Sequence, residues 1–119
     1  MAKKILVIDD DLTGVALMRS RLSKAGYDVV AAANGAMGLN AVASEHPDLV
    51  ILDIEMPQMN GYTFIMELRK VDKARVIPVI VTTSREEHKM LFYRHGIKDY
   101  LLKPVNIDEL IIKIQAIIG

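Results

Sequence analysis

Short apolar runs recur along the chain, with amphipathic stretches between them. Ile5-Leu6-Val7-Ile8, Leu49-Val50-Ile51-Leu52 and Pro78-Val79-Ile80-Val81 are continuously apolar, as in strands covered on both faces. Residues 28–32 and 100–102 supply two weaker strands. Residues 12–25 predict a helix with Leu17, Met18, Leu22 and Ala25 on one face, Arg21 at its edge and Gly26 as its stop. Asn34 is placed to cap a second helix running to about Ser44, which Gly38 weakens. Asn60-Gly61 forms a turn into a helix over 62–71, with Phe64, Ile65 and Leu68 inward. Residues 85–95 predict a fourth helix ended by Gly96, and Asn106 with Glu109 marks the start of a last one over 107–118. Five strands alternating with five helices define an α/β fold, a parallel sheet wound on both faces.

At 119 residues, 51% of them apolar and 25% charged, the chain is long enough for one domain with a real core. Lys+Arg and Asp+Glu number 15 each, so no global field favours nucleic acid or an anionic membrane. There is no cysteine, which excludes disulfides and thiol chemistry. The first apolar run stops at Asp9, too short for a signal peptide, and no segment reaches membrane-spanning length. A cytoplasmic protein without membrane insertion is the expectation.

Candidate chemistry gathers where the strands end. The first ends in Asp9-Asp10-Asp11, the third in Asp53, the fourth in Thr82-Thr83-Ser84 and the fifth in Lys103-Pro104. A lone carboxylate is costly to bury, so Asp53 is expected where its strand surfaces. In a parallel sheet these ends share one edge, where such folds keep their sites. Crowded carboxylates repel unless a cation intervenes, and an all-oxygen set suits Mg2+. A carboxylate can also act as a nucleophile towards phosphorus, with a lysine and a hydroxyl to steady the transferred group.

These residues carry a resemblance. Lys4 to Asp11, Asp53-Ile54-Glu55-Met56-Pro57-Gln58-Met59-Asn60-Gly61, Pro78 to Ser84, and Asp99-Tyr100-Leu101-Leu102-Lys103-Pro104 fall in the order and at the separations of the receiver domain of two-component response regulators. The chain resembles that family from end to end, in its stand-alone chemotaxis-like form. The resemblance implies a flavodoxin-like doubly wound sheet of order 2-1-3-4-5; with the last helix reaching the end of the sequence, one receiver domain over 1–119 with no effector domain is expected, either a stand-alone receiver or a fragment cut from a longer protein. The resemblance also implies Asp53 as phosphoacceptor and Mg2+ held by Asp10, Asp53 and the backbone carbonyl of Glu55, with Asp9 acting through water. Thr83, five residues after Pro78, would be the switch hydroxyl. Lys103, before an often cis proline, would pair with the phosphoryl group, and the rotamer of Tyr100 would report activation. The implied partners are a sensor histidine kinase or phosphotransfer protein, and a downstream protein on the face of the fourth helix, fifth strand and last helix. Direct nucleic-acid binding is not expected.

Plainer readings exist for each residue alone. Asp9 to Asp11 suit the start of a helix, and Asp11 is expected to do only that. Asp53 can be a turn residue, Thr83 strand filler and Lys103 a solvated lysine. Glu55 and Arg85, each two residues beyond a key position, can pair across the site mouth. Ile112 lies off the apolar face made by Ile107, Leu110, Ile111, Ile114 and Ile118, which marks a partner surface or an ordinary exposed isoleucine. Two other functions compete: a pseudo-receiver that docks without phosphorylation, and an aspartyl-phosphate hydrolase of the haloacid dehalogenase type. The hydrolase wants a second aspartate two residues after its nucleophile as acid/base; Glu55 occupies that place, and no cap-domain insertion is read in the sequence.

Overall fold

The structure is a computed structural model that describes residues 2–56, 60–71 and 76–119. Pro57, Gln58 and Met59 of the motif after Asp53 lie outside the described residues. The elements run β1 (Lys4–Ile8), α1 (Leu12–Lys24), β2 (Asp28–Ala32), α2 (Gly35–Glu45), β3 (Leu49–Asp53), α3 (Gly61–Val71), β4 (Val79–Thr83), α4 (Lys89–Arg94), β5 (Asp99–Leu102) and α5 (Ile107–Ile118). All four strand pairings are parallel and the order is β2-β1-β3-β4-β5, the doubly wound flavodoxin-like sheet expected.

Strand periodicity divides the core into two layers. Ile5, Val7, Leu49, Ile51 and Ile80 face α1 and α5, where Leu22, Leu110 and Ile114 close over them. Leu6, Ile8, Val50, Leu52, Val79 and Val81 face the other way, against Val42, Phe64, Leu68 and Phe92 of α2 to α4. Each fully buried Leu or Ile contributes about 1.5–3 kcal/mol relative to exposure, so both layers are needed to hold the sheet.

The caps follow the sequence. The Asn34 side chain accepts from the Met37 N–H at 2.9 Å, and that of Asn106 from the Glu109 N–H at 3.0 Å. Asn60 accepts from Tyr62 and Thr63 at the entry to α3. Gly26 and Gly96 take φ of +98° and +85° just beyond α1 and α4, a conformation that favours glycine.

Four expectations change. The inward residues of α1 are Val15, Met18 and Leu22, whereas Leu17 is 57% exposed and Ala25 faces solvent. Arg21 leaves the apolar face to pair with Asp108, which ties α1 to α5. Gly38 does more than weaken α2: a Cβ there would meet Ile8 Cδ1 at 2.5 Å, so the gap lets α2 lie on β1. The fourth helix does not begin at residue 85, because 85–88 are not helical. The Arg85 carbonyl, which a helix starting there would offer to the Lys89 N–H, accepts from the Tyr100 hydroxyl instead, and the Lys89 N–H donates to the Glu86 carbonyl.

Candidate functional site

The C-terminal edge of the sheet brings Asp9, Asp10, Asp53 and Lys103 together. In-register pairing puts the end of β3 beside β4, with Asp53 opposite Thr82. The Ile54 N–H donates to the Thr82 carbonyl and the Lys103 N–H to the Thr83 carbonyl, so the loops leaving three strands start from fixed positions. Lys103-Pro104 is a cis peptide bond.

Asp53 does not surface as expected; it is only 3% exposed. Two donors make that burial tolerable. Lys103 Nζ lies 3.1 Å from Asp53 Oδ1, and the Glu55 N–H donates to the same oxygen at 2.9 Å. Lys103 is correspondingly shifted: partial burial lowers its pKa, but the hydrogen bond and charge of Asp53, with Asp9 and Glu55 behind, raise it above the ordinary lysine value.

Asp9, Asp10 and Asp53 each offer a carboxylate oxygen, and the three oxygens lie within 4.8 Å of one another. The crowding shows on Asp9. Burial, then the nearby Asp53 charge, push its pKa up to about 6 from 3.8, against the opposing Asp11 N–H and Lys103. A divalent cation at this point would offset the repulsion, so the residues fit magnesium both in ligand type and in charge. Asp11 is no side-chain cap for α1. Its N–H donates to Asp9 Oδ1 at 2.9 Å, and it orients the cluster through its backbone.

Thr82 and Thr83 are both buried and serve opposite sides. Thr82 lines a cavity of about 260 Å³ with Asp9, Lys103 and Leu17, between α1 and the start of α5. Thr83 lines one of about 290 Å³ with Glu55, Arg85 and His88, towards α4. Tyr100 is buried, its ring 6.2 Å from that of Phe92, and its hydroxyl donates to the Arg85 carbonyl at 2.5 Å.

Glu55 and Arg85 do not pair. The Glu55 carboxylate accepts from the Ser84 N–H on one oxygen and from Ser84 Oγ, at 2.8 Å, on the other. The Arg85 guanidinium lies 3.8 Å from Glu87. Ser84 is visible in the sequence only as the hydroxyl following Thr83; its hold on Glu55 joins two loops that local pattern does not connect. Ile112 is 66% exposed on α5, with exposed Leu102 on the edge strand β5 and Met90 on α4.

A parallel sheet with an acidic cluster, a buried aspartate and a lysine at its C-terminal edge defines a class, and comparison with known proteins bears it out. Residues 5–115 match the response regulator receiver domain, and the chain belongs to that family. It is 38% identical over 118 residues to the probable transcriptional regulator ycf27 of Cyanophora paradoxa, covering 98% of this chain and 48% of that protein. It is 36% identical to protein PilH of Pseudomonas aeruginosa, with 98% of each covered. The chain thus spans about half the length of ycf27 and nearly all of PilH. Among solved structures it is similar to the chemotaxis protein CheY4 of Vibrio cholerae, with TM-score 0.90, 28% identity, and 99% of this chain and 100% of that one covered. Receiver domains are signalling modules of two-component systems that bind Mg2+ at an acidic cluster and interact with kinases or phosphotransfer proteins and with effectors. Among the described residues, no helix is long and apolar enough to cross a membrane.

Proposed function

We propose that the chain is a cytoplasmic phosphorylation switch whose phosphoacceptor is Asp53. The observation that supports this reading most is the Asp53–Lys103 contact at 3.1 Å beside the Asp9–Asp10 carboxylates: a buried carboxylate, an ammonium and two further acids at one point. An Asp53 oxygen forms a bond to phosphorus while the bond from phosphorus to its donor breaks. The electron pair leaves with the donor: an imidazole nitrogen of a histidine kinase or phosphotransfer protein, or the acetate oxygen of acetyl phosphate. Lys103 stays beside the transferred group and balances its charge, and Thr83 donates a hydrogen bond to it. Asp10, Asp53 and the Glu55 backbone carbonyl are the residues to hold Mg2+, with Asp9 through water. Bound there, the ion neutralises charge on the phosphoryl group.

When Thr83 turns to the phosphoryl group it gives up the Arg85 N–H. The Arg85–Tyr100 tie then loosens, and the change reaches the face of α4, β5 and α5, where Ile112 and Leu102 are exposed for a protein partner. The output in this reading is a protein contact rather than direct binding to nucleic acid. Two features weigh against the alternatives. A hydrolase of the haloacid dehalogenase type wants a second aspartate two residues after its nucleophile, and that place holds Glu55. A scaffold that is never phosphorylated has no use for three carboxylates crowded against a lysine. Radiolabelled acetyl phosphate with Mg2+ tests the proposal: label on the wild type and none on Asp53→Asn is expected, and label on neither removes it in favour of the docking module.

A further inference from the structure

Glu55 leaves β3 two residues after Asp53 and folds across to the end of β4. Its own N–H donates to Asp53 at 2.9 Å, so its backbone is fixed next to the buried carboxylate. Its side chain takes both donors of Ser84, the N–H and the hydroxyl. Desolvation pushes the Glu55 carboxyl up. Hydrogen bonds from Thr83 and Ser84, with the charges of Lys103 and Arg85, outweigh it and leave the group below the ordinary carboxylate value. A hydroxyl, a backbone N–H and a nearby ammonium are the donors an oxyanion would collect on this edge of the sheet.

We propose that the Glu55 carboxylate is an internal occupant of the phosphoryl site, holding the Ser84 donors until it is displaced. The proposal rests on Asp53 being the phosphoacceptor. A phosphoryl group on Asp53 would draw on donors beyond Lys103, and those of Ser84, which follows Thr83 at the end of β4, are already taken by Glu55. Two anions do not share one N–H, and their repulsion at this range is only partly screened. Glu55 therefore leaves Ser84 as the phosphoryl group arrives. The cavity of about 290 Å³ beside it, lined by Arg85 and His88, receives the displaced side chain and gives it a cationic neighbour. Glu55 is a positioning residue: it sets how readily the site accepts an anion and performs no chemistry. Its backbone is unaffected by side-chain substitution, so the roles of its N–H and carbonyl survive the test.

The test compares wild type, Glu55→Gln and Glu55→Ala in two measurements. The initial rate of labelling by acetyl phosphate with Mg2+ rises by about threefold or more in both variants, the size of one screened charge contact. Without phosphodonor, the Ser84 amide proton resonance shifts upfield in Glu55→Ala, as expected when a charged acceptor is lost. Unchanged or slower labelling of the variants, with wild type labelled, overturns the displacement and leaves Asp53 as phosphoacceptor standing. A Ser84 resonance that ignores Glu55→Ala also overturns it. Absence of label on all three proteins overturns the phosphoacceptor reading and the displacement with it.

Discussion

The Tyr100 hydroxyl donates to the Arg85 carbonyl at 2.5 Å, joining β5 to the loop that leaves β4. That loop also holds the Arg85 N–H on Thr83, so one residue's backbone is gripped from both sides. Tyr100→Phe removes one grip and keeps the ring against Phe92. The expected cost is about 1 kcal/mol of stability, the net worth of one hydrogen bond, with faster amide exchange at 85–88. Urea unfolding and hydrogen exchange check both. A loop equally protected in the variant would show that the tie carries no load.

Asp9 sets an expected pH dependence. Its pKa is raised from 3.8 to about 6 by burial and by Asp53. A raised carboxyl favours the fold in its protonated form. In the metal-free protein this contribution is fully present below 3.8 and lost as pH rises through about 6. Magnesium binding follows the opposite sense, because the cluster serves the cation when ionised. Affinity for Mg2+ is expected to fall about tenfold between pH 7.5 and pH 5. Calorimetric titration at the two values measures it, and equal affinities would remove Asp9 from the binding event.

Asp99 gives the reverse sign. Partial burial raises its pKa, but Lys113 at 2.9 Å, the Tyr100 N–H and the Tyr93 hydroxyl together bring it below 3.8. Its contribution is present above 3.8 and lost as pH falls through the lower folded value. Asp99→Asn is expected to cost about 0.5–1 kcal/mol at neutral pH, as a partly exposed pair should. The difference closes in acid. Thermal melts of both proteins across the acid range test it.

Ile112 is exposed, so Ile112→Lys should change folding stability by no more than about 0.5 kcal/mol. If the α4, β5 and α5 face carries the output, the same substitution weakens partner binding or self-association. Light scattering for self-association and pull-down with the partner read this directly. Intact association in the variant would move the output surface elsewhere.

Residues whose placement depends on local pattern are legible in the sequence alone. Continuous apolar runs mark β1 and β3, and Asn34 and Asn106 mark helix starts because an N-cap acts within three residues. Asp9, Asp10, Asp53 and Lys103 can be put on one edge because parallel strands all end on the same side. What escapes depends on partners distant in sequence. The start of α4 is delayed by Tyr100, 15 residues after Arg85, and Glu55 finds Ser84, 29 residues away. Leu17 fits an apolar face by spacing, but α1 rotates Val15 inward in its place. Gly38 reads as a helix weakness because Ile8, which fills the gap above it, belongs to another element.

Thr82 and Thr83 are consecutive, yet they open onto different cavities on opposite sides of the sheet. The strand's two-residue repeat makes the sheet a wall with a doorway at one edge. A phosphodonor that approached along α1 would stand on the Thr82 side, while a listener at α4 would stand on the Thr83 side. The phosphoryl site would touch both sides, because Thr83 reaches it from the listener's side. If the proposed switch holds, substitutions on the outer surface of α4 would change the listener's footing and leave the Thr82 side, where a supplier would stand, as it is.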